Sequence, residues 1–261
     1  MLARDAARRG EGPEALSHWD AVAPGSSWYR QARLEAARWL LDRGRPAEAE
    51  KRLAPILEND PDGQARLLAL AAAEAREDHP RAARMALELA EGAGDPARRA
   101  GYLERAAVHL RRSGDEQGYR RVLERLAGEA PGTPAGAWAA GELQHMAYEA
   151  GDWEAVLRWS EGARKADPSG AAAYREAEAL LATGRPDRAR RILETLARRP
   201  DSVAPLALAR LALLDDRAGR VEAARRGYRE ALASGGLPPE MAAWVRERLR
   251  ALGGEARDKT P

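Results

Sequence analysis

Four histidines, His18, His79, His109 and His145, offer the most scope for acid-base or metal chemistry, and their spacing supports neither. They fall in different segments, and none joins His, Asp or Glu in a recognisable metal-ligand motif. The chain has no Cys, which removes disulfides and thiolate metal sites and leaves the redox compartment undetermined. No glycine-rich phosphate loop follows a strand, no strand pattern exists, and no serine sits in a nucleophile elbow. Asp and Glu alternate with Arg at helical spacing, the pattern of exposed ion pairs. The expectation is a chain that is not an enzyme and needs no metal or cofactor.

A second constellation points to recognition. Trp138, His145, Tyr148 and Tyr174 gather aromatic and polar character, with Arg38, Arg111, Arg112 and Glu178 as charged companions. Aromatic anchors flanked by arginines are what a protein surface uses to hold a peptide. The competing reading is that Trp138 and Tyr174 pack between neighbouring helices.

Charge restricts the partner. The chain of 261 residues carries 43 basic and 41 acidic side chains, a formal net charge of +2, interspersed along its length. Despite a pI near 9.1, no basic stripe supplies a phosphate footprint, so nucleic acid is not expected. No uncharged apolar stretch approaches the roughly 18 residues of a membrane span, and the first thirty residues are too charged for a signal peptide. Membrane insertion is not expected. The chain as given reads as cytoplasmic, or as periplasmic if an upstream signal segment was removed. The lack of Phe, the single Asn59 and the excess of Arg over Lys look like compositional bias.

An internal repeat must position these residues. Turns recur at Gly10, Gly44, Asp78, Gly114, Gly151, Gly184 and Gly219, 33 to 37 residues apart. Five residues past each turn stand Ala15, Ala49, Ala83, Tyr119, Val156, Ala189 and Ala224, and four further on Trp19, Leu53, Leu87, Leu123, Ser160, Leu193 and Tyr228. That is one apolar face of a second helix in each unit. Pairs such as Ala36/Ala37, Ala106/Ala107 and Leu211/Ala212 mark a close-packing stripe on the first helix. Glycine suits the left-handed cap that ends the first helix, while Pro46, Pro80 and Pro186 fall where the second begins. Gln144, Ser160 and Glu176 stand where small or apolar residues are expected, so their units should pack less tightly.

Stretches such as EAGDWEAVLRWSEGARKADP and ATGRPDRARRILETLARRPD resemble tetratricopeptide repeats over nearly the whole chain. The resemblance implies an all-α, right-handed α-solenoid of about seven helix-turn-helix repeats, one domain over 1–252 with a capping helix at 237–252. A polar, disordered tail is expected at 253–261. It also implies a bacterial protein-protein interaction scaffold, with a protein or peptide partner lying along the first helices. Phasing from the turns places Arg38, Trp138, His145, Tyr148, Tyr174 and Glu178 on that face. Family members that grip a terminal carboxylate use Asn and Lys there, and this chain has neither at those positions. Alternatives are a self-assembling structural protein joined through repeat ends, and a regulatory repeat domain of a larger enzyme. Only nine residues precede Gly10, which implies either a short first helix or a chain cut from a longer one.

Overall fold

Long runs of Ala, Leu, Arg and Glu, all strong helix formers, are broken by glycine or Asp-Pro at each turn, and the chain follows them. The computed structural model describes residues 2–253, and among these there is no strand. The expected tail therefore lies outside the described residues except for Gly253. The chain divides into two compact units, Met1–Ala130 and Pro131–Pro261.

The first unit holds α1 (Leu2–Arg9), α2 (Gly12–Asp20), α3 (Tyr29–Leu41), α4 (Pro46–Leu53), α5 (Gln64–Ala75), α6 (His79–Gly92), α7 (Pro96–Ser113) and α8 (Glu116–Glu129), with a 3-10 turn over Ala54–Ile56. The second holds α9 (Pro134–Glu149), α10 (Trp153–Ala166), α11 (Ala171–Ala182), α12 (Pro186–Ala197), α13 (Ala204–Arg217), α14 (Val221–Ser234) and α15 (Pro239–Ala251). Within each unit consecutive helices pack on one another, and α3 also meets α5 as α9 meets α11. That is the helix-pair organisation of an α-solenoid. Helix α15 closes the second unit, as expected: Val245 and Leu249 are buried with Ala224, Tyr228 and Ala231.

The turns work as their residues require. Gly184 lies at φ 74°, and the next amide, Arg185 N, reaches back to Leu180 O at 2.7 Å. This closes the last turn of α11. One expectation shifts by a residue. The left-handed position between α5 and α6 is Glu77, at φ 56°, and Asp78 N bonds Ala73 O at 2.9 Å. Asp78 is instead the N-cap of α6, accepting from Arg81 N at 3.2 Å. An aspartate cap followed by a helix looks like the turn residue when it is read without the backbone.

The core consists largely of alanine, reinforced by fully buried leucines such as Leu53, Leu103, Leu123 and Leu193. Small residues let backbones approach. A Cβ added at Gly162 would stand 2.6 Å from Ala140 Cβ, and one at Gly227 would stand 2.9 Å from Ala212 Cβ. The expected loosening around Gln144 and Ser160 is therefore not found. Both are buried, and they satisfy each other: Gln144 Nε2 donates to Ser160 Oγ at 3.1 Å and to Ala172 O at 2.9 Å. Glu176, also buried, pairs with Arg164 at 3.2 Å. The Gln144 amide and Ser160 hydroxyl, with these bonds made, avoid the cost of an unmet buried polar group, whereas Glu176 Oε2 has its ion pair but no hydrogen bond.

Three substitutions check this account by urea unfolding. Glu77→Gly is expected to raise stability by about 0.5–1 kcal/mol, because it relieves a left-handed non-glycine residue. Gly101→Ala, in α7 with open space around it, gains up to about 1 kcal/mol of helix propensity. Gly162→Ala loses about 1–3 kcal/mol to overpacking. A common direction for all three would refute the assigned turn and contacts.

Candidate functional site

The first helices α5, α7, α9, α11, α13 and the capping α15 carry a repeating polar contact. An arginine reaches back one repeat to an acceptor on the preceding first helix. Arg105 grips Glu74 through Nε at 3.2 Å and Nη2 at 2.6 Å. Arg210 Nη2 meets Glu178 Oε2 at 2.6 Å, and Arg248 meets Asp216 at 2.5 and 2.9 Å. At the corresponding place Arg175 Nε donates to the Gln144 amide oxygen at 3.0 Å. The long guanidinium fork suits this reach, since its aliphatic stem lies along the helix surface. The N-terminal end uses a related contact, in which Glu35 on α3 binds Arg4 on α1 and also accepts from Gln31 and from Trp19 Nε1.

In the second unit this ladder builds a cleft. Its floor is Leu181, Leu213 and Leu214, its rim is Trp153, Glu178, Arg210 and Arg217, and its volume is about 180 Å³. Tyr174 accepts from Arg210 Nε at 3.3 Å while its ring packs against the Leu180/Leu193 core. Burial pushes its hydroxyl up to about 12. Burial also raises the Glu178 carboxyl, against the opposing pull of Arg210. The Tyr148 hydroxyl is raised by burial and by Glu178, and its ring meets Trp153 edge-on, 5.7 Å between centroids at 77°.

The eight residues singled out by sequence thus separate. Tyr148, Tyr174 and Glu178 cluster around Arg210. Trp138 lies half-buried and His145 exposed elsewhere on α9. Arg38, Arg111 and Arg112 are exposed in the first unit, on α3 and the last turn of α7. Trp153, Arg210 and Arg217 were not anticipated. Arg210 was findable, because it follows Glu178 at the same offset that separates Arg248 from Asp216.

The first unit holds a second cleft, of about 410 Å³, where His79 and His109 meet although they lie thirty residues apart in sequence. Their Nδ1 atoms are 3.3 Å apart and the rings stack at 5.4 Å. His109 Nε2 lies 3.0 Å from Glu74 Oε1. Burial works against the Glu74 charge, but bonds from Arg105 and His109 hold its carboxyl below the usual range. Among the described residues no group of three or more His, Asp or Glu is arranged to hold a metal ion. No described helix is long and apolar enough to cross a membrane.

No protein-family model matches the chain, and no curated protein is similar to it in sequence. Among solved structures it is similar to a tetratricopeptide repeat protein from Parabacteroides merdae ATCC 43184, at a TM-score of 0.42 and 10% identity. The match covers 97% of this chain and 96% of that one.

The polar contacts predict a pH response. Hydrogen bonding to Arg4 holds the Glu35 carboxyl at about 2, against the cost of burial. A lowered folded value means stability that is complete above the ordinary carboxyl range and is lost as pH falls through about 2. Melting temperature should therefore decline less steeply below pH ~4.3 in Glu35→Gln than in the wild type. Parallel declines would show that the contact carries no linkage.

Proposed function

We propose that this chain is a non-catalytic scaffold whose second unit holds a peptide or helix of a protein partner along its first helices. The observation that carries the reading is the cleft among α10, α11 and α13. Its leucine floor accepts one apolar side chain, and its two arginines face a single carboxylate, Glu178. The preferred segment is one with an apolar residue beside an acidic one. Arg217, exposed at the rim, makes the charge-assisted contact, and Trp153 supplies a rigid aromatic wall. Trp138 and His145 extend the same recognition along α9.

The energy of such a surface concentrates on a few anchors. On an array of acidic-aromatic peptides and their charge-reversed counterparts, the acidic set should be retained. Arg217→Glu should weaken retention tenfold or more, which is about 1.4 kcal/mol. Trp153→Ala should cost about 1–3 kcal/mol of binding. Equal retention of acidic and basic peptides, or full binding by Arg217→Glu, would remove the site.

A further inference from the structure

We infer that the contact between His79 and His109 is a proton-operated latch joining the α5–α6 pair to α7, closed near neutral pH and opened when both rings are protonated. The inference concerns the first unit and stands apart from the peptide site.

The hydrogen-bond chain fixes where the protons sit. Glu74, already gripped twice by Arg105, is ionised at neutral pH and can only accept. His109 therefore donates to it from Nε2. In neutral His109 this leaves Nδ1 as a bare lone pair, which receives the Nδ1–H of His79 across 3.3 Å. One added proton is accommodated. It sits on His79 Nε2, or on His109 Nδ1 with the bond between the rings reversed. A second added proton is not, because both Nδ1 atoms then carry hydrogens that face each other between two cations stacked at 5.4 Å. The bond is replaced by a repulsion.

The surroundings bear on this. Besides the two rings, the charged groups lining the cleft are Glu74 on α5, Glu77 in the turn, and Glu104, Arg105 and Arg112 on α7. Glu74 is neutralised by Arg105. Glu77 and Glu104 favour the first added proton, and Arg112 opposes accumulation of charge. None of them relieves the collision of two hydrogens at the Nδ1 contact, which is steric as well as electrostatic.

The moving part is also visible. His79 is the first residue of α6, directly after the left-handed Glu77 and the cap Asp78. Losing the His109 bond frees a turn that already holds an unfavourable backbone conformation. The sign follows from proton counting. The folded pair resists a second proton that the unfolded chain accepts freely, so the stability contributed by the contact is present while the pair holds at most one added proton. It falls as pH drops below the ordinary histidine range near ~6.5. Glu74, held below the usual carboxyl range, stays ionised through that window.

Histidine ring NMR on the full chain tests this directly, with exposed His18 and His145 as internal references. His79 and His109 should titrate together in two steps separated by more than about one pH unit, as coupled groups do. In His79→Gln, His109 should revert to a single step. Hydrogen-exchange protection of the Arg81 and Ala82 amides, corrected for intrinsic rate, should fall at least tenfold between pH 7 and 5 in the wild type and stay level in His79→Gln. Independent single steps for the two rings, or an equal loss of protection in His79→Gln, would overturn the latch.

Discussion

Where Ala140 faces Gly162 and Ala212 faces Gly227, the backbones of paired helices stand too close to admit one more methyl group, and much of the architecture follows from that closeness. An alanine core is thin. Each buried methyl removes little apolar area from water, so a contact between such helices gains less than one made by larger side chains. Dispersion at close range compensates only while the approach is maintained. Thin helices also leave a short distance between neighbouring repeats, which an arginine can span. The ladder of Arg105, Arg175, Arg210 and Arg248 onto acceptors one repeat earlier is the polar complement of that core.

The ladder also determines what each unit offers a partner. Most carboxylates on the first helices are already engaged, so the proposed recognition rests on the positions the ladder leaves over. In the second unit these are Arg217 and the leucines beneath it. In the first unit, Glu74 is shared between Arg105 and His109, and a structural rung is thereby connected to a pair of titratable rings. One periodic device thus supports an apolar cleft with a cationic rim in one unit and the paired histidine rings, the inferred latch, in the other.

Much of the fold was legible in the sequence because it rests on local rules. Left-handed caps favour glycine, first turns admit proline, and a helix that packs closely shows alanine at fixed intervals. Legibility failed where partners come from different repeats. Gln144 and Ser160 look like flaws in their own helices and prove to be a bonded pair between two. Glu77 adopts a glycine's conformation with nothing in its side chain to announce it. Of the candidate site, the grouping of Tyr148, Tyr174 and Glu178 was legible because turn phasing selects one helix face. Arg210 was missed because its role depends on a residue one repeat away. The meeting of His79 and His109 follows from how α6 and α7 cross, which no periodicity encodes.

The claim that polar contacts tie successive first helices together is tested most directly by a double-mutant cycle on Glu178 and Arg210. Unfolding free energies of the wild type, Glu178→Gln, Arg210→Gln and the double variant give the coupling without the separate costs of each truncation. A half-buried pair at 2.6 Å should couple by about 1–3 kcal/mol, with the double variant losing less than the sum of the single ones. Strict additivity would mean that the ladder decorates the helices and that the alanine contacts alone hold them.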